Sequence, residues 1–304
     1  MSAVFWVNTG IVIITLIFLV FFIPDVIKHK KDLNDGGVKK GVKCSVISMV
    51  TLFFDTLGIG AYAPMTACYK NLKVVNDRLI PGTLNASCPV PTAFVAIAFI
   101  TAVEVQILTL VVTIAASTVG AFLGAGIVAK LPINKVRIGI GCALIIVSMV
   151  ILTGVLGLMP VGGYATGLYG ASLVIAGVVC FILGALMTIG VGAYAPTMAT
   201  VYLLGLSPLV AFPIMMGACA YLIPAAGMRF VKEGAYDRKA ALITNTIGNI
   251  GTATALIIVV TLPLTALRWL VICVIIYTGI IMLRDGIRKK TDEEKVDDGA
   301  VAAT

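Results

Sequence analysis

Seven apolar runs, each close to the length that crosses a bilayer, constrain the fold of this chain more than any other feature. A transmembrane helix needs about 20 predominantly apolar residues, because in lipid every backbone polar group must be bonded within the segment. The runs cover residues 3–23, 82–103, 107–129, 136–157, 207–228, 239–260 and 266–283. Hydrophobic residues make up 60% of the chain and charged residues only 12%. The sequence therefore predicts an all-α polytopic membrane protein with about seven transmembrane helices.

Charge and composition exclude several functional classes. A net charge of +8 indicates nucleic-acid binding only where the basic residues lie together on one water-exposed surface. Here the basic residues lie between apolar runs, so we expect no nucleic-acid partner. His29 is the one histidine, and the seven cysteines form no CxxC pair, so neither residue type predicts a metal or cofactor site. The sequence contains no HExxH, GxSxG or P-loop motif. We expect no enzyme activity, no cofactor and no metal.

An internal duplication organises the chain. GIGAYAP at 58–64 recurs as GVGAYAP at 190–196, with six of seven positions identical at an offset of 132. LPINKVR and LPLTALR repeat Leu, Pro and Arg at an offset of 131. The predicted units are an N-terminal helix with a basic cytoplasmic loop (1–43), repeat 1 (44–157), an extracellular linker (158–169), repeat 2 (170–284) and a disordered cytoplasmic tail (285–304).

Two further apolar segments, 44–69 and 170–204, contain the Gly-rich breaks, and each either crosses the membrane or dips in and returns. If both cross, seven of the 22 basic residues lie outside. If both are re-entrant hairpins, the repeats are inverted and 21 of the 22 basic residues face the cytoplasm, leaving only Arg268 outside. The positive-inside rule favours the inverted arrangement. We therefore expect a multi-pass plasma-membrane protein with its N-terminus outside and its C-terminus in the cytoplasm.

The duplicated breaks are the predicted substrate site. Glycine permits tight turning, and proline suits the first turn of an outgoing helix, so each break exposes amides at a helix N-terminus that favours an anion. Two such termini entering from opposite sides would meet near the membrane midplane. The alternative is that the glycines only allow close helix packing. The predicted binding residues are Gly58, Gly60, Ala61, Tyr62, Pro64, Gly190, Gly192, Ala193, Tyr194 and Pro196. The tyrosines either donate hydroxyls to a ligand or fill space.

Two acidic residues lie away from the basic loops and the tail. Asp55 comes three residues before the first glycine break, where a carboxylate within the membrane is costly and usually functional. It is the candidate for proton coupling, and the alternative is that it caps the hairpin turn. Glu104 lies in a short outer turn, where we expect a solvated carboxylate.

Polar residues elsewhere in the apolar runs give weaker candidates. Asn245 and Asn249 share one side of a predicted helix and either line a cavity, and so bind substrate, or join helices by hydrogen bonds. Asn85 is a lesser candidate. Arg229 lies at the cytoplasmic end of its apolar run, where the alternative to a functional role is that it only anchors the helix at the interface.

The paired motifs GIGAYAP and GVGAYAP, in about 300 residues with short loops, resemble those of the TauE/SafE sulfite exporter family, also called the 4-toluene sulfonate uptake permease family. The resemblance covers residues 44–283, although the family motif is commonly richer in glycine than these two copies. It implies a multi-pass carrier of sulfite or another small sulfur-containing or organic anion.

Together these features predict a secondary transporter that moves a small anion by alternating access, with opposed helix N-termini as the binding site. An anion-conducting channel is the alternative, because opposed hairpins also build pores. The expected partners are the anion, the lipid bilayer and a coupled proton or sodium ion. The sequence does not predict an oligomeric state.

Overall fold

The computed structural model describes residues 3–128, 133–156, 163–187 and 194–301, and these residues are helical with no β-strand. Short 3-10 turns lie at Lys30–Asn34, Asp77–Leu79 and Pro208–Val210. The helices are α1 Ala3–Lys28, α2 Gly37–Thr56, α3 Tyr62–Asn71, α4 Ile80–Ser87, α5 Pro89–Ala102, α6 Ile107–Val128, α7 Ile133–Val155, α8 Gly170–Met187, α9 Tyr194–Leu203, α10 Ala211–Glu233, α11 Arg238–Thr246, α12 Gly248–Thr261 and α13 Leu264–Val301.

Six helical stretches in the described residues are long and apolar enough to cross a membrane. They are Val4–Lys28, Ile80–Ala102, Gly170–Met187, Ala211–Glu233, Arg238–Thr261 and Trp269–Ile287. Five of them correspond to predicted apolar runs, and Gly170–Met187 belongs to the segment with the second glycine break. The two remaining runs form α6 and α7, which contain shorter described apolar stretches at Ile107–Ala121 and Ile138–Met149. The chain is thus an all-helical protein with the composition of a multi-pass membrane protein.

Helix bounds recur along the chain at the spacing of the duplicated motif. The helices α3 and α9 both have ten residues, and each begins at the tyrosine of its motif, Tyr62 or Tyr194. The continuous helix α10 has its counterpart in the pair α4 and α5. The pair α11 and α12 likewise corresponds to α6. The duplication in sequence is therefore accompanied by a matching order of helices.

Two predicted single helices are interrupted. The break between α4 and α5 falls at Cys88, just before Pro89 and Pro91, which have no backbone N–H to continue the helix. The break between α11 and α12 falls at Ile247, next to Gly248. Both interruptions lie inside predicted membrane-spanning runs, so hydrophobicity alone does not predict them.

The core lies where helices of one half meet helices of the other half. The most extensive contacts join α6 with α8, α7 with α13, α2 with α12 and α5 with α10, while α1 packs mainly on α10. Small residues allow the closest approaches: Gly184 of α8 lies against the Ser117 carbonyl of α6, and Gly227 of α10 lies against the Asn85 carbonyl of α4. Close packing through glycine is typical of helices in lipid.

The last helix extends into the charged C-terminal segment. Residues 285–304 have a charged composition that predicts disorder, whereas α13 continues to Val301. Several residues of this segment are helix-forming Lys, Arg and Glu, and extending an existing helix avoids the cost of nucleation.

Ion pairs join three elements at one end of the molecule. Asp25 at the end of α1 accepts a hydrogen bond from Arg238 Nε at 2.8 Å, and Asp32 accepts one from Arg238 Nη1 at 2.8 Å. Lys40 near the start of α2 donates to Asp35 and Asp237, each at 2.6 Å. These contacts bring the end of α1, the start of α2 and the start of α11 together.

Candidate functional site

The first glycine break is built by backbone turns that Asp55 holds in place. Gly58 and Gly60 have φ angles of 95° and 89°, which residues with side chains rarely adopt. The Gly58 N–H donates to the Asp55 carbonyl at 2.9 Å, and the Ala61 N–H donates to the Asp55 carboxylate at 2.6 Å. Tyr62 then begins α3. Asp55 thus ties the end of α2 to the start of α3.

The Asp55 carboxylate reduces the number of backbone amides that this helix end can offer to an anion. An exposed helix N-terminus offers several free amides to an anion. Here the chain's own carboxylate accepts the Ala61 amide hydrogen bond, so Asp55 caps the turn, as one of the two sequence interpretations predicts. Pro64, in the first turn of α3, has no N–H to offer. An anion at this helix end therefore has fewer backbone donors available than the motif alone indicates.

The two motifs meet across the molecule. A Cβ at Gly58 would overlap the Met198 methyl group of α9, and one at Gly60 would lie 3.8 Å from Tyr194 Cδ2. Tyr194 also lies beside Asp55 and Cys219. Pro196 is buried in the first turn of α9. Gly190, Gly192 and Ala193 of the second motif lie outside the described residues. The described parts of both predicted breaks are thus close neighbours in space.

Tyr62 faces a different partner from Tyr194. Its hydroxyl donates to Asn85 Oδ1 at 3.3 Å, and the Asn85 amide donates to the Pro81 carbonyl at 2.9 Å. Tyr62 and Asn85 line a cavity of about 540 Å³. The other lining residues are Thr66, Ile80, Pro81, Leu84, Ala121, Gly184, Met187, Leu222, Ile223, Ala226 and Phe230. This volume lies in the range of small-molecule sites, and a few neutral polar groups stand among apolar walls.

Asn245 contacts backbone rather than this cavity. Its Nδ2 donates to the Ala86 carbonyl at 2.8 Å, and its Oδ1 accepts from the Val90 N–H at 3.1 Å. In an uninterrupted helix, Val90 would donate directly to Ala86. The Asn245 side chain therefore completes the hydrogen bonding of the α4–α5 break, which supports its interpretation as an interhelical link. Its role in substrate binding stays a prediction.

Asn249 lies one turn further along. Its Nδ2 donates to the Asn245 carbonyl at 2.7 Å, and its Oδ1 is buried without a hydrogen-bond partner. A buried acceptor without a partner is costly, so this oxygen is available to a ligand, an ion or a water molecule. Asn249 is not among the residues that line the 540 Å³ cavity.

Two buried core cysteines lie close to the site. Cys88 and Cys219 are buried near Tyr62, and the Cys219 thiol lies 3.9 Å from Met187 Sδ. The sequence does contain a signal, because these cysteines are 131 residues apart, close to the repeat offset. Within the described ranges, no three His, Cys, Asp or Glu residues are grouped so that they could hold a metal ion.

Comparison of the chain with protein-family models, curated proteins and solved structures gives no match. The resemblance to the sulfite exporter family therefore rests on the two glycine motifs and their spacing.

Proposed function

We propose that this chain is a secondary transporter that moves a small sulfur-containing or organic anion across the plasma membrane by alternating access. The observation that carries the proposal is the contact between the two duplicated segments, in which Gly60 lies against Tyr194 and Gly58 against Met198. Paired broken helices that meet between internal repeats are typical binding sites of secondary transporters. The resemblance to the TauE/SafE family favours a sulfur-containing anion.

The proposed topology has seven membrane helices and two re-entrant segments in inverted repeats. Contacts of Asp237 support re-entry of the first segment, α2 and α3. The Asp237 carboxylate binds Lys40 near the start of α2 at 2.6 Å, and the Asp237 N–H donates to Thr83 in α4 at 2.9 Å. The chain before α2 and the chain after α3 therefore lie at the same end of the molecule, as expected for a segment that enters and returns.

Contacts of the linker support the same topology for the second segment. The Leu168 N–H, just before α8, donates to Thr109 at 2.8 Å, and the Ser207 N–H, just after α9, donates to the Ala165 carbonyl at 2.9 Å. The helices α4 and α5 form one candidate span. Thr83 lies near the start of this span, and Thr109, at the start of α6, comes just after its end. The two broken segments thus start from opposite ends, which favours an inverted arrangement. The basic residues at the Asp237 end favour a cytoplasmic location for that end.

Asp55 is the proposed coupling residue. It lies between the segments, accepting the Ala61 amide of its own segment and standing beside Tyr194 of the other. Protonating the carboxylate would remove its charge and weaken both interactions, because hydrogen bonds to charged groups are stronger than those to neutral ones. Proton binding would then ease separation of the two segments during transport.

Reconstitution in liposomes tests the transporter proposal. We expect saturable uptake of at least one of sulfite, thiosulfate and sulfoacetate, stimulated by the same anion inside the vesicle, with a carboxylate as comparison. Linear flux without counter-substrate stimulation would instead favour an anion-conducting channel. Gly60→Leu should abolish uptake, because a side chain at φ 89° strains the turn, while Gly139→Leu has open space and should transport normally.

Labelling from either side of the membrane tests the topology. Cysteines introduced at Lys73 and Lys135 should react only from the cytoplasm, and a cysteine at the exposed Tyr164 in the linker should react only from outside. The parent protein with its native cysteines gives the background. Outside labelling at Lys73 and Lys135 would contradict the inverted arrangement.

A further inference from the structure

A second cavity continues from the one that Tyr62 and Asn85 line. It has a volume of about 440 Å³. The two cavities share the lining residues Ala121, Leu222, Ala226 and Phe230, so they adjoin. The second one ends at Arg229 and Glu233, near the C-terminal end of α10. Together they form a passage from the tyrosine site to the end of the molecule where Asp237 lies.

One face of α10 forms a wall of this passage. Leu222, Ala226, Arg229 and Glu233 follow at intervals of three or four residues, which places them on the same side of a helix. The small side chains of Ala225 and Ala226 leave room between α10 and α6. Arg229 and Glu233 are the charged groups among the described residues that line either cavity.

The ion pair at the mouth is exposed and therefore easily exchanged. Arg229 Nε donates to Glu233 Oε1 at 3.0 Å, and the two side chains are 81% and 51% exposed. Exposed ion pairs contribute little to stability, so another anion can compete with Glu233 for the guanidinium group. Arginine also binds carboxylate and sulfonate-like oxygens through several donors at once.

We propose that this passage is a water-filled cytoplasmic vestibule in which Arg229 receives the anion and Glu233 competes with it. The inference rests on the proposed anion transport and adds two residues that determine charge selectivity. Arg229 acts at the mouth, away from Tyr62 and Asn85, so it raises the local concentration of anions rather than forming the central binding site.

Lys232 is a matched control on the same helix. It carries the same charge as Arg229, but its Nζ lies 4.5 Å from the centre of the Phe21 ring of α1, and it does not line either cavity. Replacing either residue with glutamine changes the net charge equally. Only Arg229→Gln removes a charge from the vestibule.

Charge-selective labelling tests the vestibule without measuring transport. The probe is Ala226→Cys, treated with an anionic and a cationic methanethiosulfonate reagent of similar size, with the parent protein as background. We expect reaction with both reagents from the aqueous phase. The ratio of the anionic to the cationic rate should fall roughly two- to fivefold with Arg229→Gln, as expected for one nearby screened charge. It should rise with Glu233→Gln and stay unchanged with Lys232→Gln.

Two labelling outcomes would overturn the inference. A cysteine at 226 that does not react from solution would mean that the passage holds no water. Equal changes of the rate ratio for Arg229→Gln and Lys232→Gln would mean that general surface charge, not the vestibule, attracts anions.

Transport kinetics separate this inference from the proposed function. In vesicles supplied with anion from the cytoplasmic side, Arg229→Gln should raise KM several-fold at low salt with little change in maximal rate, and the effect should shrink at high salt. An unchanged KM in a transporting protein would overturn the role of Arg229. The expected labelling pattern in a protein that transports none of the anions would support the vestibule and contradict the proposed function.

Discussion

Gly251 of α12 lies directly against the Met49 carbonyl of α2, so close that a Cβ atom at residue 251 would overlap the carbonyl oxygen. The same contact occurs again between Gly120 of α6 and the Phe181 carbonyl of α8. Met49 and Phe181 are 132 residues apart, and Gly120 and Gly251 are 131 apart. The same glycine-to-carbonyl contact thus occurs twice, at matching positions of the two halves. Each contact joins a helix of one half to a helix of the other.

This contact predicts that Gly251→Ala destabilises the protein. The added methyl group has no space, and separating α12 from α2 would cost about 1–3 kcal/mol, as overpacking usually does. Thermal unfolding in detergent should show a lower midpoint for Gly251→Ala. Gly139→Ala is the control, because nothing lies within 4 Å of a Cβ there, and its midpoint should be unchanged or higher. Equal midpoints for both variants would contradict the close packing.

Much of the helical fold was predictable because membrane helices are selected by length and apolarity. Five of the six candidate spans coincide with apolar runs, and α3 and α9 begin at the motif tyrosines. The breaks at Cys88 and Ile247 were not predictable from hydropathy, because Pro89 and Gly248, which lie next to them, act on the backbone. The helix α13 continues to Val301, beyond its apolar run, into residues whose charged composition predicts a disordered tail.

The candidate site was predictable in part. The duplicated motif predicted that Tyr62 and Tyr194 belong to one substrate site; Gly60 lies close to Tyr194 in the structure, while the substrate site itself stays a prediction. Which amides are free was not predictable, because it depends on the side-chain geometry of Asp55. Cys219 was not among the predicted site residues, although its spacing of 131 residues from Cys88 is close to the repeat offset.

Asn245 and Asn249 should differ in their contribution to stability. Replacing Asn245 with alanine removes hydrogen bonds to the Ala86 carbonyl and the Val90 N–H, and we expect a loss of about 1–3 kcal/mol for these buried groups. Asn249→Ala also removes an oxygen that has no partner, so its cost should be smaller. Unfolding midpoints in detergent compare the two variants. A larger loss for Asn249→Ala would contradict the assigned roles.

The Lys40 cluster predicts how stability depends on pH. The hydrogen bond from Lys40 lowers the pKa of Asp35 from its usual 3.8, so its stabilising effect is present above that pH and is lost as the pH falls. Burial alone would lower the pKa of Lys40, but hydrogen bonds to Asp237 and Asp35 raise it above 10.5, so its effect is lost only in strong alkali. We therefore expect the contribution of this cluster to stability to stay constant between about pH 5 and 9.

Lys40→Gln checks this cluster. It leaves Asp237, whose side chain is only 11% exposed, without its cationic partner, so the unfolding midpoint should drop by several degrees at neutral pH. The contribution of Asp35 to the acid-induced loss of stability should shrink as well. Lys39→Gln, at an exposed neighbouring position, should match the parent protein. Similar midpoints for the two variants would show that the ion pairs do not stabilise this end of the molecule.

Asp55→Asn separates coupling from folding. Asparagine keeps an oxygen that can accept the Ala61 amide, so the variant should fold and insert, but it cannot bind and release a proton. In proteoliposomes we expect exchange of internal and external anion to continue, while stimulation by a proton gradient disappears. Glu104→Gln, an exposed carboxylate in the α5–α6 turn, should keep full stimulation. Stimulation of Asp55→Asn equal to that of the parent protein would assign coupling to another group.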